Sequence, residues 1–205
     1  LVWLFFDGID PMHLPRILTP TTSIRIGLLG GSFDPPHVGH LALAQQAMTR
    51  LNLNRVWWMV APTNPLKHFA GGYAPPPQDV RCSTVRRMLK THPNMDVLGL
   101  PEDGKTYFTL QALSAAYPKA QFVWLMGWDS FCHIHRWDRW QDIMTQHRLA
   151  LFDRMGYNGV MNPVAAFAFS DYQTSPQRIF ETPAGWCRLR LRLPQISSTE
   201  LRAAS

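Results

Sequence analysis

Residues 24–40 read Ile24-Arg25-Ile26-Gly27-Leu28-Leu29-Gly30-Gly31-Ser32-Phe33-Asp34-Pro35-Pro36-His37-Val38-Gly39-His40, and their reading decides the fold. The apolar run from Ile24 to Leu29 is too short for a helix and stops at a glycine pair, as a buried strand ending in a tight turn does. Two residues without Cβ at Gly30 and Gly31 let backbone N–H groups approach a ligand closely. Pro35 is pushed out of helical geometry by the proline that follows, and Pro36 suits a first helical position, so a helix is predicted from Pro36 through Met48. His37 and His40, spaced i and i+3, then share one face of its first turns. Unpaired N–H groups and the positive end of the dipole favour an anion there. Strand, Gly-rich turn and helix in this order make a phosphate-site layout, and two imidazoles beside it suit a polyphosphate.

The chain has 205 residues, enough for one domain of α/β size with a substantial core. That domain is expected over 24–205. Residues 1–23, with Pro11, Pro15 and Pro20, read as a poorly ordered extension ahead of it. The run Leu1 to Phe6 is only six apolar residues without a basic leader, so neither a signal peptide nor a membrane span is expected. A net charge of +6 suits polyanionic ligands, and nucleotides satisfy it as well as nucleic acid would, so no nucleic-acid partner is inferred. Cys82, Cys132 and Cys187 are odd in number and form no C-x-x-C pair, which points to a reducing compartment, by default the cytoplasm. A homo-oligomer is compatible with all of this.

Further along, Val56 to Ala61 is a second buried strand, and Pro62-Thr-Asn-Pro-Leu-Lys67 lies at its carboxyl end, where open parallel sheets bind ligands. Lys67 is therefore a candidate phosphate contact. Gly71-Gly-Tyr-Ala-Pro-Pro-Pro77 is irregular, either a connector or a flap. A helix over Asp79 to Lys90 carries Arg81, Arg86, Arg87 and Lys90, a basic face read as solvated surface. Strands follow at Met95–Leu98, Gln121–Met126 and Arg148–Phe152, with a helix between the first two from about Thr109 to Ala116. Residues 158–186 read as irregular. Arg188 to Leu193 alternates strictly, predicting Leu189, Leu191 and Leu193 inward and three arginines outward.

Strands alternating with helices predict an α/β fold with a Rossmann-like doubly wound, mostly parallel sheet. If the strand order reverses beside the first strand, Gly127-Trp128-Asp129-Ser130, after the fourth strand, faces the first motif and sets Asp129 opposite His37 and His40. Cys132-His133-Ile134-His135 matches no structural zinc spacing, so no metal site is predicted. Ser197 and Glu200 have capping-box spacing and mark a last helix.

Gly30-Gly31-Ser32-Phe33-Asp34-Pro35-Pro36-His37-Val38-Gly39-His40 resembles the H-x-G-H signature of the nucleotidyltransferases, in the form found in bacterial nicotinate-nucleotide adenylyltransferases. Further strings resemble that family in order: Asn64-Pro-Leu-Lys67, Gly127-Trp-Asp129, His135-Arg-Trp137-Asp-Arg-Trp140, Arg154-Met-Gly-Tyr157 and Ile196-Ser-Ser-Thr-Glu-Leu-Arg202. The last matches the second signature, I-S-S-T-x-[IL]-R. The string Thr106-Tyr-Phe-Thr109-Leu110 is two residues shorter than the family's T-Y-T-x-x-T-L, which lies near the nicotinate ring.

The resemblance implies adenylyl transfer from ATP to nicotinate mononucleotide, giving nicotinate adenine dinucleotide and pyrophosphate. It implies an ATP site of Gly30, Gly31, Ser32, Phe33, His37 and His40 with Ile196, Ser197, Ser198, Thr199 and Arg202. It implies a mononucleotide site of Lys67, Thr106, Thr109, Gly127, Asp129 and Trp137, with Trp137 against the pyridine ring and Trp140 in the core. His40, His37 and Arg202 would act in catalysis, and Mg²⁺ would arrive with ATP without a cage of paired carboxylates. Two alternatives stand beside this reading. One is a sister enzyme using pantetheine phosphate or making CDP-alcohols; the other is a nucleotide-binding regulator without turnover.

Overall fold

A computed structural model describes residues 23–62, 73–101, 105–154, 164–191 and 198–203. Six strands, β1 (Ile24–Gly31), β2 (Arg55–Val60), β3 (Met95–Gly99), β4 (Ala120–Gly127), β5 (Arg148–Arg154) and β6 (Gly185–Leu191), form one sheet in the order β3-β2-β1-β4-β5-β6. Every pairing is parallel. The order reverses beside β1, which is the condition under which the sequence sets the two motifs face to face, so β1 and β4 are neighbours and their carboxyl ends open on one crevice.

Because successive side chains point to opposite faces, each strand feeds two separate cores. Val56, Trp58 and Val60 of β2 pack with α1 (Val38–Leu51) and α2 (Gln78–Met88); Trp57 and Met59 pack on the other face with α3 (Thr106–Ala116). In β4, Val123 and Leu125 join the first core, and Phe122, Trp124 and Met126 join the second, with α4 (Trp128–Phe131) and α5 (Trp140–Gln146). A sheet covered on both faces needs strands apolar at every position, which is why β2 and β4 read as unbroken apolar runs.

Some boundaries differ from expectation. Residues 158–186 were expected to be irregular; within them lie α6 (Val164–Ala168), a 3₁₀ turn at Ser170–Tyr172 and the start of β6. Leu189 and Leu191 are buried and Arg188 and Arg190 exposed, as the alternation requires, while Leu193 lies outside the described residues. Arg188 spends its charge locally, pairing with Asp153 at 2.8 Å and stacking 4.1 Å over the Trp128 ring. Trp140 packs edge-on against Phe169 in the second core, the role assigned to it. Cys82, Cys132 and Cys187 are buried free thiols, and burial pushes Cys187 up to about 12. Among the described residues no helix is long and apolar enough to cross a membrane.

His147, between α5 and β5, carries a stability consequence. Burial, and then the Arg148 charge beside it, lower it from 6.5 to about 4, and its Nε2 is buried without a hydrogen-bond partner among the described residues. Below pH 6.5 the unfolded chain takes up a proton there that the folded chain refuses until about pH 4. Stability present in full above pH 6.5 is therefore lost as pH falls through this window, by up to roughly 3 kcal/mol at about 1.4 kcal/mol per tenfold. Urea midpoints at pH 7 and pH 4.5 should converge in His147→Gln relative to the parent. An unchanged difference would show that other groups carry the acid sensitivity.

Candidate active site

A cavity of about 670 Å³ opens at the carboxyl ends of β1 and β4. Its floor is the glycine pair. Gly30 and Gly31 do not form the predicted turn; they complete β1, opposite Met59 and Val60 of β2. Their small size has a packing cause: a Cβ on Gly30 would lie 2.6 Å from the Trp124 ring, and one on Gly31 3.0 Å from the Phe33 ring. The turn comes one step later, at Ser32 to Pro36, with Phe33 in left-handed backbone geometry at φ 47°.

The helix also begins later than predicted, at Val38, with His37 as its N-cap and Pro36 outside. The predicted closeness of the two histidines holds, their ring centroids being 3.8 Å apart. The bonding differs from the expectation of unpaired N–H groups. The Gly39 N–H donates to His37 Nδ1 at 3.1 Å, and the His37 N–H donates to His40 Nδ1 at 3.3 Å, a capping box built from two imidazoles. An Nδ1 that accepts from an amide carries no proton, so each neutral ring holds its N–H at Nε2. The helix end therefore meets the cavity through two imidazole donors whose tautomer the backbone sets.

Phe33, expected at the ATP site, is only 1% exposed, and its ring is absent from the cavity lining. It stacks edge-on beneath His40 at 5.1 Å and against Trp58 at 4.9 Å, so it props the catalytic candidate from the core. Asp34, which was not singled out, is a hub. Both its carboxylate oxygens accept from the Tyr73 hydroxyl, at 2.9 and 3.0 Å, and its backbone carbonyl accepts from Arg202 Nη1. Desolvation, and then the hydrogen bond to Asp34, raise Tyr73 above its ordinary 10 and keep it a donor. Ser198, which opens α7 (Ser198–Ala203), donates to the Pro35 carbonyl at 3.0 Å. The second signature thus docks on the turn of the first, 163 residues away in sequence.

Of the predicted site residues, Gly30, Gly31, Ser32, His37, His40, Ser198 and Arg202 line the cavity, as do Thr106, Gly127 and Trp137. Thr109 does not line it. The predicted helix starts three residues early, at Thr106, so Thr106-Tyr-Phe-Thr109 is a first helical turn, and Thr109 is 2% exposed on its buried side. Asp129 is not in the lining either; its carboxylate folds back over Gly127, and Ser130 takes its place on the wall. Lys67, Ile196 and Ser197 lie outside the described residues, as does the Thr199 side chain. Thr106 and Trp137 come from different segments, and the Lys105–Asp138 pair at 2.9 Å ties the neighbours of both together.

Arg81 is the largest correction. Placed on a solvated basic face by the sequence reading, it is 3% exposed and lines the cavity, while Arg86 and Arg87 are exposed. Among the described residues no group of three or more His, Cys, Asp or Glu side chains converges to hold a metal ion.

Residues 28–204 match the model of the family described as cytidylyltransferase-like. A relative from Cereibacter sphaeroides (strain ATCC 17025), named "probable nicotinate-nucleotide adenylyltransferase", is 40% identical over 183 residues, covering 87% of this chain and 96% of its own. One from Methylorubrum extorquens (strain PA1), with the same name, is 41% identical over 189 residues, covering 87% and 99%. The chain belongs to the cytidylyltransferase-like family, among its nicotinate-nucleotide adenylyltransferases. The fold of the family is shared at much lower identity. The Plasmodium falciparum nicotinic acid mononucleotide adenylyltransferase complexed with NaAD superposes with a TM-score of 0.62 at 16% identity, over 88% of this chain and 83% of that one.

Proposed function

We propose that the chain transfers the adenylyl group of ATP to nicotinate mononucleotide, a step of NAD biosynthesis, in the cytoplasm. The observation that carries the mechanism is the imidazole capping box: two histidines whose Nδ1 atoms are taken by backbone N–H groups at the N-terminus of a 14-residue helix, both lining the cavity. A phosphate oxygen of the mononucleotide, already an anion at neutral pH, attacks the α-phosphorus of ATP. The bond from that phosphorus to the α,β-bridging oxygen breaks, and its electron pair leaves with pyrophosphate. No protein nucleophile and no proton transfer are needed. Catalysis then rests on in-line placement and on donors to the oxygens that gain charge. His40 serves the α- and β-phosphoryl oxygens in the transition state, and His37 the ATP phosphates throughout. Mg²⁺ is part of the ATP substrate. Trp137 and Thr106 receive the pyridine ring.

Pyrophosphate release assayed with nicotinate and nicotinamide mononucleotides tests this. Release with the nicotinate substrate and a higher kcat/KM than with the amide is the expected result; ATP binding without release would favour a regulator. Because Thr106 to Thr109 is a helical turn, a two-residue insertion there to match the family's string would rotate the flanking residues by about 200° and disrupt the core. Thr106→Val is the cleaner probe and should narrow the preference for nicotinate.

Arg202 is tied to Asp34, its Cζ lying 5.2 Å over the Tyr73 ring. A guanidinium can grip the turn and still present a planar edge to a phosphate, whereas an ammonium cannot do both. Arg202→Lys should therefore weaken ATP binding with AMP binding nearly unchanged. Equal losses in calorimetric titration would assign Arg202 to structure alone.

A further inference from the structure

The turn between β1 and α1 is held from both sides by arginines. Arg81 Nη1 of α2 donates to the Ser32 carbonyl at 2.6 Å, and Arg202 Nη1 of α7 donates to the Asp34 carbonyl. These carbonyls flank Phe33, the residue in left-handed geometry beneath His40. Arg81 Nε donates at 2.9 Å to the Pro76 carbonyl, so one guanidinium also bridges this turn to the 73–77 segment, whose Tyr73 and Pro75 line the cavity. Both arginines lie close enough to Tyr73 to act on its phenol electrostatically. A peptide plane carries its C=O and N–H antiparallel, so fixing the Ser32 carbonyl also fixes the direction of the Phe33 N–H.

Burying a guanidinium to 3% exposure is costly unless its donors are satisfied and its charge is used. The Pro76 and Ser32 carbonyls take two of its donors. Its place in the cavity wall sets the charge where a polyanion would lie.

We infer that Arg81 is a positioning residue of the polyphosphate subsite: it locks the Ser32–Asp34 turn that supports His40, and sets a buried positive charge in the wall beside Tyr73 and Arg202. This rests on the adenylyl-transfer reading for its ligand, but its test does not require turnover. Arg81→Lys keeps the charge and loses the two-carbonyl bridge; Arg81→Met keeps the stem and loses both. Calorimetric affinities of the full chain for ATP, ADP and AMP, each with Mg²⁺, are compared for the parent, both variants and an Arg86→Met control on the exposed side of α2.

The expected loss grows with phosphate number: at least tenfold for ATP in Arg81→Met, smaller in Arg81→Lys, and little for AMP in either. In the pyrophosphate assay kcat falls in both variants, because the turn under His40 loosens, while the control matches the parent. Equal proportional losses for the three nucleotides, or parent-like ATP affinity in Arg81→Met, would make Arg81 a packing residue and overturn the inference. If Arg81→Met fails to fold, the lysine variant decides, since an unchanged kcat with the bridge lost is incompatible with positioning. A parent chain that binds ATP more tightly than AMP yet releases no pyrophosphate would sink the adenylyl-transfer reading and leave the Arg81 inference intact. A parent that binds the two equally would remove the subsite itself.

Discussion

Replacing His40 by alanine is expected to lower kcat by about 10²–10³-fold, the usual cost of removing one donor aimed at developing oxyanion charge. The Kd for ATP should move far less. A donor acting chiefly in the transition state leaves ground-state binding nearly unaltered. Two structural features make this separation sharp. His40 Nδ1 is occupied by the His37 amide, so the ring's N–H is fixed at Nε2 without help from substrate. The Phe33 ring below and Trp58, 6.2 Å away, hold the imidazole plane from the core side. Single-turnover kinetics with ATP affinity measured separately decides the matter. Near-parental kcat with a raised KM for ATP would make His40 a ground-state binder and transfer the catalytic assignment to His37.

The largest loss of stability is expected from Phe33→Ala. Phe33 is 1% exposed against Trp58 and His40, and truncating a buried phenylalanine costs about 3–5 kcal/mol through lost transfer energy and the cavity left behind. Alanine inherits the left-handed backbone geometry at φ 47° without the ring packing that sustains it, so no backbone relief offsets the loss. Urea denaturation at neutral pH gives the value. Activity should fall as well, because the support under His40 is gone, and Phe33→Leu should recover part of both. A change below about 1 kcal/mol would mean that Trp58 and His40 close the void, and that the turn is held by the arginine–carbonyl contacts alone.

The sequence by itself determined the architecture. Short strand-like runs of four to six residues alternating with helical segments admit few arrangements other than a parallel sheet covered on both faces. His37 and His40 were legible for the same local reason: i and i+3 spacing at a helix start is a property of the backbone alone. What the tertiary structure decided concerns residues whose partners are remote in sequence. The glycine pair reads as a turn until Trp124, from another strand, shows why β1 must run through it without Cβ atoms. Phe33 reads as a ligand contact until Trp58 claims its ring. Arg81 shares its helix with Arg86 and Arg87 but lies on the buried stripe of Cys82 and Val85, and the fold brings the Ser32 carbonyl, 49 residues away, within reach of its guanidinium. Asp34 and Tyr73, 39 residues apart, carry no motif between them. Local sequence fixes periodicity and turn chemistry because these depend on bonded neighbours, whereas the role of a polar side chain depends on which distant carbonyl or ring the fold brings within about 3–5 Å of it.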